Sequence, residues 1–124
     1  MSDLVTIKIA EKLKEKGFPQ YICDTGYIIE NDEKNRYNIG DKEAVWKIPK
    51  NLLYIAAPTI AQVLKWLREK YKLHVCTDLD VNKNWFYSIE GIDNDFSYID
   101  ISDYHSYEDA TTSGICYALD TLIK

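Results

Sequence analysis

Three places in the 124-residue sequence carry residue types that could do chemistry. The first is Asp78-Leu79-Asp80-Val81-Asn82-Lys83-Asn84, with side-chain oxygens at alternate positions, as at the start of a calcium loop. Such a loop needs glycine at its sixth position for the sharp turn and a bidentate glutamate at its twelfth. Lys83 and Ile89 stand there instead, so the spacing predicts the turn of a solvated hairpin. Asp93-Asn94-Asp95 fails the same test. The second place is Asp103-Tyr104-His105, where an imidazole near carboxylates could act as a general base or a metal ligand. His74 is the only other histidine, and no Ser, Cys or Lys stands in a recognised nucleophile setting. The G-x-S-x-G, H-E-x-x-H and phosphate-cradling glycine patterns are missing. Asp103 and His105 are therefore a minor polar site, and a loop residue that buttresses the following helix cap is the simpler reading of His105. The third is Trp85-Phe86-Tyr87 with Tyr98, which could stack bases. The RNP1 pattern is missing, and nine carboxylates lie between Asp78 and Asp109 against Lys83 alone. Core packing and cross-strand pairing account better for these rings. No catalytic residue, metal or cofactor is expected.

The composition bounds the protein class. The length predicts a single domain spanning residues 1–124, large enough for one core. The sequence is 46% apolar and 28% charged, within the range of globular proteins. Its net charge of −5 and pI near 5.0 argue against a phosphate-backbone partner, so no nucleic acid is expected. Ten Tyr and three Trp suit both a core and an interface. Cys23, Cys76 and Cys116 are odd in number and widely spaced, which predicts reduced thiols in a cytoplasmic protein rather than a disulfide or zinc framework. The first residues lack the order of a signal peptide, and no apolar run approaches the ~20 residues of a membrane span.

The elements that must position these residues follow from periodicity. Residues 3–16 predict a first helix, capped by Ser2 or Asp3, with Val5, Ile9 and Leu13 on one stripe. Gly17 suits the left-handed position past its end, and Pro19 stops it. In 20–57, QYICDTGYIIE reads as a hairpin or a broken strand, NDEKNRYNIGDKE as a loop, and AVWKIPKNLLYI as an edge strand limited by Pro49. A second helix opens at the Thr59 cap, with Gln62 at the capping-box position and Ile60, Val63, Leu64, Leu67 and Tyr71 as its stripe. Trp66 lies off that stripe, near Lys70 and Leu73. A large aromatic there needs a cover, from residues 20–57 or from a partner, so Trp66, Lys70 and Leu73 form a candidate interface.

Strands over 74–81, 85–92 and 96–102 predict an antiparallel meander with short polar turns. In the third strand Tyr98 and Ile99 fall on opposite faces, so both faces are expected to be partly covered. Residues 106–124 predict a closing helix capped by Ser106, with Glu108 and Asp109 at the positive end of its dipole. Tyr107, Ala110, Thr111, Gly114, Ile115, Ala118, Leu119 and Leu122 share its broad face. Ala110, Gly114 and Ala118 form a groove of small residues there, which lets the backbone approach its neighbour closely. A helix that accepts an interior glycine gains most of its stability from packing.

Two stretches together, APTIAQVLKWLREKYKLHV and SYEDATTSGICYALDTLI, resemble a group of short uncharacterised proteins from bacterial prophages and mobile elements. In that group a P-T-x-x-Q-x-x-x-W-L-R-E helix, a short meander and an S-Y-E-x-A helix recur. The resemblance implies a mobile-element origin and an accessory role without catalysis. Ser106-Tyr107-Glu108-Asp109-Ala110 also resembles the Thr/Ser-x-Glu-Glu-Ala opening of the helix that follows the meander in HicB-type antitoxins. The Pro-x-x-x-Gly loop of that family is missing before the helix. The helix–three strands–helix order is similar to double-stranded RNA-binding domains, but their last helix starts Lys-rich, where Glu108 and Asp109 stand here.

The expected fold is α+β, with three helices on an antiparallel sheet of three or more strands in the order α-(β)-α-β-β-β-α. The expected function is a small interaction protein, acting as a homodimer or with a protein partner and not with a membrane. The alternatives are a HicB-like antitoxin or acidic inhibitor of a basic partner, and an enzyme of unknown class using His105 and nearby carboxylates.

Overall fold

A computed structural model describes residues 4–20, 25–30, 33–38 and 53–123. The protein is α+β, with three helices and antiparallel sheets. It divides into two compact units, Met1–Ile60 and Ala61–Lys124.

In the first unit, α1 runs Ile7–Glu15. It starts later than residue 3 because the preceding backbone is extended: Leu4 bridges Thr59, and the Val5 amide donates to the Pro58 carbonyl at 3.0 Å. Thr6 is the cap, accepting from the Ile9 amide at 3.4 Å; Ser2 and Asp3, the expected caps, lie outside the described residues. The end of α1 is as expected. Gly17 has φ 90°, its amide donates to the Lys14 carbonyl, and the Phe18 amide reaches back to Leu13. That pair of bonds satisfies two orphan carbonyls, and Phe18 and Leu13 are both buried.

Strands β1 (Thr25–Glu30), β2 (Glu33–Asn38) and β3 (Leu53–Ala56) form a sheet in the order β2-β1-β3. β2 corrects the reading of NDEKNRYNIGDKE as a loop. Its polar sequence shows no alternation, and what makes it a strand is the antiparallel ladder to β1, from Thr25 opposite Asn38 to Glu30 opposite Glu33. Among the described residues β3 pairs only with β1 and so is an edge strand, as expected, while Pro49 lies outside them. Gly26 sits under the Tyr54 ring, where a Cβ would come within 2.3 Å of a ring carbon. α1 packs on β3 through Ile9, Ala10 and Leu13.

The second unit takes all of α2 (Ile60–Tyr71) but its first residue, and α2 buries Val63 and Leu67. It ends at Lys72, whose left-handed φ of 55° turns the chain directly into β4. β4 (Leu73–Leu79), β5 (Trp85–Gly91) and β6 (Ser97–Tyr104) make the expected meander, in the order β4-β5-β6. α3 (Tyr107–Tyr117) packs on one face of it and continues into a π-helical turn, Ala118–Leu122, closed by the Ile123 amide on the Ala118 carbonyl at 2.9 Å. Among the described residues three strands, not one, stand between α1 and α2, and the six strands form two sheets rather than one.

The small-residue groove of α3 is buried as expected, at Ala110, Gly114 and Ala118 alike. A Cβ on Gly114 would lie 2.8 Å from Val75 Cγ1 and 3.0 Å from the Tyr87 ring, so the helix backbone sits directly on β4 and β5. Tyr107 departs from expectation: it is 43% exposed at the rim, its ring edge-on to Trp85 at 5.7 Å.

Candidate functional site

Alternation along the meander sorts its side chains onto two faces. The face under α3 holds Val75, Thr77, Tyr87, Ile89 and Tyr98. Thr77 and the buried Thr111 of α3 share a hydrogen bond of 2.6 Å. Tyr98 stacks flat on Tyr117 at 4.2 Å. Tyr87 is 2% exposed and lies between Tyr98 and Tyr104, with centroids 6.2 and 5.9 Å away.

Asp100 closes the rim of this face. It accepts from the Tyr104 hydroxyl at 2.9 Å, from the Ser102 amide at 3.0 Å and from the Ser102 hydroxyl. The Ser102 hydroxyl, above all, holds its carboxyl below the usual carboxylate range. Burial pushes the Tyr87 phenol far above its ordinary value, and the neighbouring Asp100 charge adds to it. Burial also raises the Tyr104 phenol. These groups are locked by one another and by α3. They form a polar seam that runs from buried Tyr87 to half-buried Asp100 and Tyr104 at the rim.

The opposite face is open. The register places Asp78 opposite Phe86, Cys76 opposite Ser88 and His74 opposite Glu90. It continues to β6 with Ser88 opposite Ile99 and Glu90 opposite Ser97. Ile99 is 58% and Ile101 66% exposed, next to half-buried Phe86 and exposed Cys76, Asp78 and Glu90. Against the expectation that both faces are partly covered, α3 covers the Tyr98 face, while on the other face Phe86 and Ser88 are half-buried and Ile99 and Ile101 are mostly exposed. Among the described residues β6 is also an outer strand. Between Tyr87 and Trp85 its register shifts, so that Phe86 faces the extra residues Ile101–Asp103, and Asp103 there has φ 58°. The Asp100–Ser102 hydrogen bonds pin this bulge.

Charge is segregated onto the same part of the chain. Nine of the 20 acidic residues lie in 78–109 with one of the 15 basic residues, giving −8 there and +3 for the rest. The turn oxygens are used in local bonds. Asp80 accepts from the Asn82 and Asn84 amides at 2.8 and 3.0 Å, and Asn94 from the Phe96 amide at 2.8 Å. Among the described residues no group of His, Cys, Asp and Glu is placed to hold a metal ion.

Asp103 and His105 are both exposed, at the end of β6 and just past it. Ser106 caps α3, accepting from the Asp109 amide at 3.1 Å. Trp66 is half-buried on α2. The structure brings it together with Lys70, whose ammonium lies 5.7 Å from the Trp66 ring and 5.6 Å from Tyr71. Tyr71 meets Trp66 edge-on at 5.1 Å. Leu73 belongs to β4, opposite Gly91. An open trough of about 430 Å³ runs between α1 and β3, lined by Glu11, Lys14, Glu15, Leu53 and Ile55. Lys14 there donates to the Tyr54 carbonyl, and burial lowers its pKa.

No helix among the described residues is long and apolar enough to cross a membrane. The chain matches no protein-family model, no curated protein and no solved structure. Sequence reasoning missed the open face, although its signal was present: Ile99 and Ile101 alternate against Tyr98, and only the position of α3 decides which set is covered.

Proposed function

We propose that the chain is a small interaction protein without catalysis, of the accessory kind that prophages and mobile elements carry, working in the cytoplasm. One observation carries this reading: the open face of β4-β5-β6, where Ile99 and Ile101 are 58% and 66% exposed beside Phe86. Two β-branched residues side by side on an outer strand are a sticky surface that folded proteins ordinarily cover or charge. The tyrosines with raised pKa values serve packing, and His105 stands exposed past the end of a strand.

A second reading, an antitoxin-like or inhibitory protein for a basic partner, is favoured by the −8 charge of residues 78–109. Trp66 with Lys70 and Leu73 is a second candidate surface, and a homodimer is a second candidate assembly.

Photo-crosslinking in the producing cells tests the reading. A photoreactive residue replaces Ile99, Ile101, Lys70 or, as control, Lys8. Discrete protein adducts are expected from positions 99 and 101 and not from position 8. Adducts from position 70 alone would move the interface to α2. Equal adducts from every position, or none from 99, 101 and 70, would refute an interaction role.

A further inference from the structure

Building on this interaction reading, we propose that the open face and outer strand β6 take an extended basic segment of a protein partner, added as a fourth strand beside β6. β6 is the last strand in its sheet, and among the described residues no strand pairs its second edge. An unpaired edge presents a row of main-chain donors and acceptors that an extended peptide can complete. The regularly paired part, Ser97 to Asp100, lies ahead of the bulge and offers a straight edge of four residues. Ile99 and Ile101 point to the open face, where alternate apolar side chains of an added strand would lie beside them.

Charge decides which occupant fits. A second copy pairing through β6 would bring two stretches of −8 together, with Asp100 and Asp103 of each strand near those of the other. Like charges across a strand pair are destabilising, and the bulge at Ile101–Asp103 twists the edge away from a flat self-match. A nucleic acid meets the same repulsion. A segment alternating basic and apolar residues satisfies the edge, the isoleucines and the carboxylates of Asp93, Asp95 and Asp103 at once.

The probe is a library of capped heptapeptides with lysine or arginine at odd positions and valine, isoleucine, leucine, phenylalanine or tyrosine at even ones. They are titrated into the ¹⁵N-labelled full chain at low salt. Members of the library are expected to bind, to shift the amides of Ser97–Asp100 most, and to weaken as salt rises. N-methylation at alternate backbone nitrogens should abolish binding, because it removes the donors that a fourth strand needs. Ile99→Thr/Ile101→Thr should weaken binding by about tenfold or more from lost apolar burial. The thermal midpoint and the dispersion of the spectrum should stay unchanged, since both side chains are exposed. Equal binding by the N-methylated peptides, by peptides carrying glutamate in place of lysine, or by helical peptides of the same composition would overturn the proposal. So would a β6-mediated dimer, or no binding by any member. If crosslinks form from positions 99 and 101 in cells while no library member binds, the interaction reading stands and this partner class falls. If the crosslinks fail too, both fall.

Discussion

Replacing Gly114 by alanine should destabilise the protein, although the same change ordinarily stabilises a helix. Alanine gains up to about 1 kcal/mol over glycine in a helix interior. Here the new methyl would stand 2.8 Å from Val75 Cγ1 and 3.0 and 3.1 Å from carbons of the Tyr87 ring. Neither neighbour yields easily. Val75 is β-branched and stiff about its first side-chain torsion. Tyr87 is 2% exposed and wedged among Tyr98, Tyr104 and α3. Overpacking costs about 1–3 kcal/mol, and two unyielding neighbours put this site in the upper half of that range, so after the helix gain of about 1 kcal/mol the net loss should be about 1–2 kcal/mol. In thermal melts followed by near-ultraviolet circular dichroism, that is a fall of about 3–8 °C for a chain of this size.

A double-mutant cycle with Val75→Ala assigns the cause. Val75→Ala alone leaves a cavity and lowers stability, but in its background Gly114→Ala should cost less, with a coupling of about 1 kcal/mol. A melting point that rises in Gly114→Ala would show that α3 does not sit directly on the sheet. Additive effects would show that Val75 is not the obstacle.

Two further outcomes follow from the seam under α3. Asp100 has a carboxyl pKa held below its unfolded value, so its contribution is present above about pH 4 and is lost as pH falls through the lower, folded value. Melting points measured from pH 7 to pH 2 should therefore fall less steeply in Asp100→Asn than in the wild type, and an identical slope would refute the assignment. Thr111→Val leaves the Thr77 hydroxyl without its 2.6 Å partner and should cost about 1–2 kcal/mol by urea denaturation. Adding Thr77→Val should restore part of that loss, and a double variant that loses the sum of both would contradict the pairing.

Much of the fold was legible from local physics. Gly17 before Pro19 announced the end of α1, because few other residues adopt φ 90° without strain. The Ser106 cap and the acidic first turn announced α3. The two short polar connectors announced the meander, and apolar spacing announced α2. These signals act over four residues or fewer, so they are written in the sequence itself. β2 was not legible, since nothing in EKNRYN alternates and its ladder to β1 is a pairing between segments. Nor was the start of α1, which is set by the bridge from Leu4 to Thr59 across more than fifty residues.

The candidate site shows the same division. Composition and order determined an acidic 78–109 stretch and a final helix with a groove of small residues. They could not determine which face of the meander that helix would cover. A strand offers Tyr98 and Ile99 to opposite sides with equal ease, and the choice falls to long-range packing: Gly114 against Val75 and Tyr87, and Tyr117 flat on Tyr98. Once α3 is seated on that side, Ile99 and Ile101 are left facing water, and the surface that carries the proposed function exists only because of it.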